Sequence, residues 1–234
     1  MSARWRRVGV AAAAALLAGV CGGSAPTSAA VDGPDVVLVG DSIVAGNRSL
    51  IDPVFAARGL DVRIDARSGR NLTVAFTDGT RIVDSGADAV ARLRESGLRP
   101  ALWVIEVGAN DIGFVRRCEC ADPVAFAVDR IDQLLAELPP GANVAWVTPH
   151  RVELEPALTH FNNALLVRSL QQIDWHAAAL FRDDWFLDAK HPSIPGARAF
   201  ADVLADGMET YLGGPFRGER SARRLGLFSY PTDL

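Results

Sequence analysis

Lysine is almost absent from this sequence: Lys190 is the only one, and the other basic residues are arginines. Positive charge is not in excess either, because 24 basic residues face 28 acidic ones and the formal net charge is −4. Proteins that bind nucleic acid neutralise its phosphates with clusters of basic residues. The charge balance therefore gives no electrostatic support for a nucleic-acid partner, and we expect none.

Cysteine and histidine are also scarce, with three and four residues respectively. Structural zinc sites usually take four cysteine or histidine ligands. Cys118 and Cys120 supply only two, and no histidine lies near them in the sequence. We therefore expect no metal site. In an oxidising compartment the two cysteines can form a local disulfide, and the sequence leaves a disulfide and two free thiols as open alternatives.

Long apolar runs are missing except near the start, where Val8–Val20 is shorter than the ~20 residues that a membrane-spanning helix needs. Arg4, Arg6 and Arg7 precede this run, and the small, polar stretch Ser24–Ala30 follows it. A basic, an apolar and a small-residue region in that order is the layout of a secretory signal peptide. We therefore expect a secreted or extracytoplasmic protein, cell-wall association included, with no membrane span in its mature form.

This interpretation divides the chain into a signal peptide at residues 1–30, one domain at residues 31–212, and a tail at residues 213–234 to which no role is assigned. Two alternatives remain for the first segment. One is an uncleaved membrane anchor. The other is the signal of a lipoprotein modified at Cys21, although Val20 is bulky where such signals usually carry a small residue.

Short apolar runs alternate with segments of helical pattern through the domain. The predicted strands are residues 35–39, 60–65, 101–107, 143–148 and 173–175, and the predicted helices are residues 47–58, 80–96, 123–138, 159–171 and 195–212. Such alternation indicates βαβ units, and nearly continuous apolar runs indicate strands that are covered on both faces. The sequence therefore predicts an α/β fold with a central, mainly parallel five-stranded sheet.

Short polar motifs follow three of the predicted strands, and a fourth stands near the C-terminus. They are Gly40-Asp41-Ser42, Ser68-Gly69-Arg70, Gly108-Ala109-Asn110-Asp111 and Asp188-Ala189-Lys190-His191. In an open parallel sheet, ligands bind outside the carboxyl ends of the strands. We therefore expect the four motifs to share one cleft.

Together, these motifs supply the groups that acyl transfer requires. A serine hydroxyl needs a neighbouring base, and a histidine base needs a partner that orients it, roles that suit Ser42, His191 and Asp188. The oxyanion of the tetrahedral intermediate needs donors, which the backbone N–H groups of Ser42 and Gly69 and the side-chain amide of Asn110 can supply. Each residue alone has a structural explanation, such as a helix N-cap for the serine. The ordered set favours a serine hydrolase.

The remaining histidines and two tryptophans carry weaker signals. His150 follows a predicted strand and is a candidate for lining the cleft, whereas His160 and His176 are interpreted as structural. Trp103 and Trp146 lie within predicted strands and are expected in the core.

The four motifs resemble the signature blocks of the SGNH hydrolases, also called GDSL-like lipases or esterases. This resemblance spans most of the domain and implies a flavodoxin-like three-layer α/β/α sandwich. It also implies Ser42 as nucleophile in a triad with Asp188 and His191, an oxyanion hole from Ser42, Gly69 and Asn110, and no cofactor or metal. The G-x-S-x-G motif of the larger α/β-hydrolases is missing around the serine.

A weaker resemblance links the chain to the secreted SGNH domains of cell-wall O-acetyltransferases. It rests on Ser68-Gly69-Arg70, on Ile173–His176 and on Ser193–Phe200. We therefore interpret the protein as a secreted serine esterase acting on a small-molecule or glycan ester. The alternatives are a carbohydrate or peptidoglycan O-acetyltransferase with the same triad, and a non-catalytic carbohydrate-binding module of the cell wall.

Overall fold

A computed structural model describes residues 33–151 and 155–213 of the chain. The predicted signal peptide and the tail therefore lie outside the described residues, apart from Gly213, and the predictions made for them stay predictions. Within the described ranges, no helix combines the length and the apolar character that crossing a membrane would require.

Seven strands and seven α-helices form the described part of the chain. The strands are β1 Val36–Gly40, β2 Val62–Ala66, β3 Phe76–Asp78, β4 Arg81–Val83, β5 Leu102–Glu106, β6 Val144–Val147 and β7 Gln171–Ile173. The helices are α1 Ser42–Arg58, α2 Gly86–Glu95, α3 Ile112–Arg117, α4 Pro123–Leu135, α5 Glu155–Val167, α6 Trp175–Ala179 and α7 Ile194–Tyr211, with a short 3₁₀ turn at Asp183–Trp185.

Five of the strands form one parallel sheet in the order β2-β1-β5-β6-β7. Val36 at the start of β1 pairs with Val62 of β2 on one side and with Leu102 of β5 on the other. The carboxyl ends of the three strands that precede the predicted motifs therefore lie next to one another. The prediction of a five-stranded, mainly parallel sheet is confirmed.

Helices cover both faces of this sheet. Along β1, Val37 and Val39 belong to one core with α2, α3, α4 and α5, and Val36 and Leu38 belong to a second core with α1, α6 and α7. Because successive side chains of a strand point to opposite faces, one apolar strand supplies both cores. The result is the three-layer α/β/α sandwich that was predicted. Trp103 and Trp146 are buried in the first of these cores, as expected.

The predicted helix at residues 80–96 is wrong in its first part. Residues 76–83 form an antiparallel hairpin of β3 and β4, joined by a turn in which Gly79 has φ +61°. Gly79 and Thr80 connect the two strands, and glycine at the first position of a two-residue loop is a hairpin signal, because it tolerates positive φ. Helix α2 begins only at Gly86, where Ser85 and Asp88 form a capping box.

Capping residues explain two of the other displaced boundaries. Asp41 caps α1, which begins at Ser42 instead of residue 47. The last strand is Gln171–Ile173 and not residues 173–175, because Asp174 accepts a hydrogen bond from the N–H of Ala177 and so starts α6. The predicted helix at residues 159–171 runs instead over residues 155–167. None of these shifts moves a predicted motif away from its strand end.

Cys118 and Cys120 are joined in a disulfide directly after α3. The structure thus favours the first of the two alternatives that the sequence left open for this pair.

Candidate active site

Ser42 lies at the sharp turn from β1 into α1. Asp41 Oδ1 accepts a hydrogen bond of 2.8 Å from the N–H of Ile43, so Asp41, not Ser42, caps the helix. A Cβ added to Gly40 would lie 2.8 Å from Cβ of Val44, which shows how closely the strand and the helix approach here. Because its side chain is not used for capping, the Ser42 hydroxyl is available for another partner.

That partner is His191. The Oγ atom of Ser42 lies 3.0 Å from Nε2 of His191, and Nδ1 of His191 lies 2.7 Å from Oδ2 of Asp188. An ionised carboxylate only accepts hydrogen bonds, so Nδ1 carries the proton that Asp188 accepts, and Nε2 is left to accept from the serine hydroxyl. The structure therefore brings the three predicted triad residues together in the order that general-base activation of a serine requires.

Asp188 stays ionised in this arrangement. Its slight burial would raise the pKa, but hydrogen bonds from the His191 ring and from the backbone N–H groups of His191 and Lys190 outweigh burial and hold the pKa of Asp188 below its usual value. A carboxylate that remains charged through the neutral range stabilises an imidazolium beside it.

A tight loop before α7 supports these two residues. The backbone N–H of Leu187 donates to the carbonyl of His191 at 2.8 Å, and Phe186 pairs with Pro192 in an isolated antiparallel bridge. Asp188 and His191 therefore lie on a closed loop whose two ends are held together.

Gly69 lies at the carboxyl edge of the sheet with φ +83°, a conformation that suits glycine. Its neighbour Arg70 is fully buried and donates from Nη1 to the carbonyl of Gly40 at 3.1 Å. Arg70 Nη2 also donates to the carboxylates of Asp65 and Asp84, at 2.8 Å each. Arg70 therefore ties the loop of Gly69 to the end of β1, immediately before Ser42.

The hairpin of β3 and β4 reaches this loop through Phe76. A Cβ added to Gly69 would lie 2.8 Å from Cζ of Phe76, so the ring packs directly on the glycine. No sequence motif indicates this contact, because Phe76 lies in the hairpin that was not predicted.

Asn110 also lies at this edge, and both ends of its side-chain amide form hydrogen bonds there. Nδ2 donates to the carbonyl of Arg70 at 2.9 Å and to Oδ2 of Asp41 at 3.2 Å, and Oδ1 accepts from Nζ of Lys190 at 2.5 Å. Both amide hydrogens thus have protein acceptors. Donation to an oxyanion, the predicted role of Asn110, requires one of them to be released, and the bond to Asp41 is the longer of the two.

Glu106, which sequence reasoning missed, lies beneath the site at the end of β5. Its carboxylate accepts a hydrogen bond of 3.1 Å from the backbone N–H of Asp41, and both side chains are buried. Burial, opposed in part by the N–H of Ile43 and by Lys190, raises the pKa of Asp41 to about 6. Burial and the charge of Asp41 raise the pKa of Glu106 well above its usual value. A glutamate that ends an otherwise apolar strand was the available signal.

His150 follows β6 and lies beside the segment that leads into Asp188. Its Nδ1 is 3.1 Å from Nδ1 of His176, and its ring stacks on Phe186 at 5.0 Å between centroids. Burial and the neighbouring His176 lower the pKa of His150 to about 4. His150 is buried and supports the segment before Asp188, and its predicted place in the lining of the cleft stays a prediction. In the described part of the chain, no cluster of three or more metal-ligating side chains is found.

Comparison with protein families finds a match over most of the described domain. Residues 36–204 match the family described as GDSL-like lipase/acylhydrolase, a range that includes all four motifs. A search of curated proteins finds no match.

Several solved structures share the fold. One is the C-terminal catalytic domain of peptidoglycan O-acetyltransferase A from Streptococcus pneumoniae, with a TM-score of 0.57 at 16% identity over 76% of this chain and 94% of that one. A carbohydrate acetylesterase family member from Sinorhizobium meliloti gives 0.56 at 18% identity over 76% and 99%. The aryl esterase of M. smegmatis gives 0.56 at 15% identity over 76% and 99%. At these identities the likeness shows a common fold.

Proposed function

Since the chain belongs to the GDSL-like lipase/acylhydrolase family, whose members act on ester bonds, we propose that it is a secreted serine esterase that works through an acyl-serine intermediate. The observation that carries this proposal is the hydrogen-bonded chain from Ser42 through His191 to Asp188, with distances of 3.0 and 2.7 Å. A non-catalytic carbohydrate-binding module has no need of such an aligned chain.

The first half-reaction forms the acyl-enzyme. Nε2 of His191 takes the hydroxyl proton of Ser42 as Oγ bonds to the ester carbonyl carbon, and the carbonyl oxygen becomes the oxyanion of a tetrahedral intermediate. When the intermediate collapses, the bond from carbon to the alcohol oxygen breaks, and His191 gives its proton to the departing alcohol. The acyl group then remains on Ser42 as an ester.

The second half-reaction repeats these steps with water. His191 takes a proton from a water molecule as its oxygen attacks the acyl carbon, and a second tetrahedral intermediate forms. This intermediate releases the carboxylic acid, and the proton returns from His191 to Oγ of Ser42. Asp188 stabilises the imidazolium in both halves and stays ionised throughout.

The oxyanion needs preorganised donors in both halves. We assign the backbone N–H groups of Ser42 and Gly69 to this role, together with the Asn110 amide once its bond to Asp41 is released. Arg70 supports the assignment, because its side chain holds the loop of Gly69 to the end of β1 and its carbonyl accepts from Asn110.

A carbohydrate O-acetyltransferase is the alternative within the same chemistry. It would use the same acyl-serine, with a sugar hydroxyl replacing water in the second half-reaction. The Ser68-Gly69-Arg70 motif, which prompted the weaker sequence resemblance, is integrated into the site through the buried Arg70. Following the acetyl group in the presence and absence of a glycan acceptor distinguishes the two activities.

Turnover of p-nitrophenyl acetate tests the proposal directly. We expect Ser42→Ala to abolish turnover, and Ser49→Ala, which removes an exposed hydroxyl from the same helix, to leave it unchanged. A fluorophosphonate should phosphonylate Oγ of Ser42 with loss of fluoride, so the wild type should gain the mass of one phosphonyl group and Ser42→Ala should gain none. Turnover by Ser42→Ala near the wild-type rate would contradict an acyl-Ser42 intermediate.

Secretion has a separate test. Intact-mass measurement of the exported protein should give a chain that begins after Ala30, since the first thirty residues have the layout of a signal peptide. A mature chain that begins at a lipid-modified Cys21 would contradict this part of the proposal and leave the esterase assignment intact.

A further inference from the structure

Lys190, the only lysine of the chain, reaches from the loop that carries Asp188 and His191 to the motif that contains Asn110. Nζ of Lys190 donates a hydrogen bond of 2.5 Å to Oδ1 of Asn110, a residue 80 positions earlier in the sequence. Lys190 lies immediately before His191, and its backbone N–H also donates to the carboxylate of Asp188. Lys190 therefore contacts both Asp188, which orients His191, and Asn110, the predicted side-chain donor to the oxyanion.

This contact determines which way the Asn110 amide faces. An ammonium group has only donors, so it can bond only the carbonyl oxygen of the amide. Nδ2 is then directed toward Oδ2 of Asp41 and the carbonyl of Arg70, the neighbours of Ser42 and Gly69 in the sequence. The amide nitrogen is thus held between the two loops that carry the other predicted oxyanion donors.

The partner of Lys190 is an amide and not a carboxylate. In the described ranges of the chain, no carboxylate oxygen lies within ion-pair distance of Nζ, although the buried Asp41 and Glu106 are close enough for its charge to lower the pKa of both. The cation therefore lies near two buried acidic side chains, while its hydrogen bond goes to Asn110. This placement differs from that of a surface ion pair.

We propose that Lys190 is a positioning residue for the oxyanion donor, an inference that rests on the proposed esterase function. Its ammonium group holds Oδ1 of Asn110, so that Nδ2 stays between the loops of Ser42 and Gly69, where it donates to the oxyanion once its bond to Asp41 is released. The same contact joins the loop of Asn110 to the loop of His191. A cation on the amide oxygen also polarises the amide, because linked hydrogen bonds strengthen one another, and this makes the N–H a better donor. The benefit arises as negative charge develops on the carbonyl oxygen, so Lys190 acts on kcat.

Lys190→Met removes the charge and the hydrogen bond while keeping most of the side-chain volume. We expect kcat for p-nitrophenyl acetate to fall about 10- to 100-fold, the range for one hydrogen bond to a charged group, with KM changed less than about threefold. Arg198→Met is the matched control, because it removes a positive charge from the exposed surface of the nearby helix α7. Thermal melting should show both variants folded at the assay temperature.

A double-mutant cycle tests whether Lys190 acts through Asn110. Asn110→Ala alone should lower kcat by ~10²–10³, as for other single oxyanion donors. If Lys190 works by positioning that amide, adding Lys190→Met to Asn110→Ala should cost less than about threefold more. If the two substitutions lower kcat by independent factors that multiply in the double variant, the inference is overturned. It is also overturned if Lys190→Met raises KM and leaves kcat unchanged.

The Ser42→Ala variant distinguishes failure of the positioning role of Lys190 from failure of the proposed esterase mechanism. An inactive Ser42→Ala with a Lys190→Met kcat within about threefold of wild type would overturn the positioning role and leave the esterase mechanism standing. Full activity of Ser42→Ala would overturn the mechanism itself, whatever the Lys190 variant does.

Discussion

The backbone N–H of Asp41, the residue before Ser42, donates a hydrogen bond of 3.1 Å to the carboxylate of Glu106, and both acidic side chains are buried. The pKa of Asp41 is raised to about 6, and that of Glu106 is raised well above its usual value. The folded protein therefore holds protons that the unfolded chain has already released. Stability from this source is present at low pH and is lost as the pH rises through about 6 and above.

Replacing Glu106 by glutamine should remove much of this pH dependence. The amide keeps an oxygen to accept from the N–H of Asp41 but cannot ionise, so Glu106→Gln should be more stable relative to wild type at pH ~8 than at pH ~5, by about 1–3 kcal/mol. Urea denaturation of both proteins at the two pH values measures the difference. An identical stability change at both values would show that the pKa of Glu106 is not raised in the folded protein.

Asp188→Asn should lower kcat by ~10⁴-fold while leaving the fold intact, because an asparagine cannot hold His191 in the tautomer that accepts from Ser42. Asp184→Asn is the matched control in the same region, since Asp184 is exposed and its carboxylate bonds only to Arg182 among the described residues. Single-turnover kinetics on both variants measures the chemical step. Equal losses in the two would point to a general charge effect instead of tautomer control.

Gly69→Ala should lower kcat by about 10²-fold, because a methyl group there meets the ring of Phe76 and displaces the predicted N–H donor. Gly79→Ala separates this effect from backbone strain: Gly79 also has positive φ, +61° against +83°, but a methyl group on it meets nothing within 4 Å. Gly79→Ala should therefore lose about 1 kcal/mol of stability and keep its activity. Partial recovery in Gly69→Ala combined with Phe76→Ala would identify the ring contact as the cause.

Arg70 and Arg92 contact the same two carboxylates, those of Asp65 and Asp84, but differ in burial. Arg70 is fully buried, whereas the side chain of Arg92 is 48% exposed. Arg70→Met should therefore cost about 3 kcal/mol of unfolding free energy and Arg92→Met less than about 1 kcal/mol. Urea midpoints at constant m value test this, and equal costs would show that burial of Arg70 does not strengthen its role.

The sheet and the placement of the motifs were predictable because each relies on local signals. Runs such as Val36–Val39 and Leu102–Ile105 are apolar on both faces and end at small residues, which defines buried parallel strands and their carboxyl ends. The hairpin was missed because Ile82 and Val83 also fit a helical period with Val90 and Leu93, so the short strand β4 was absorbed into the helix after it.

The composition of the triad was also predictable, since Ser42, Asp188 and His191 belong to ordered motifs. The contacts around it were not. The bond from Lys190 to Asn110 joins residues 80 positions apart, and nothing in either motif specifies that their side chains meet. The burial of Glu106 was not predicted because a polar residue at the end of a strand is usually solvated. Only tertiary packing against Asp41 buries it.

The hairpin of β3 and β4 stands outside the five-stranded sheet, yet its Phe76 packs on Gly69. The hairpin lies in the connection between the Gly69 motif and α2. Its length and sequence can therefore change without shifting the register of the strands that precede the catalytic motifs. Evolution can therefore remodel the surroundings of the reacting carbonyl separately from the groups that perform the chemistry. Divergence in ester preference among descendants of this enzyme should accumulate in the hairpin first.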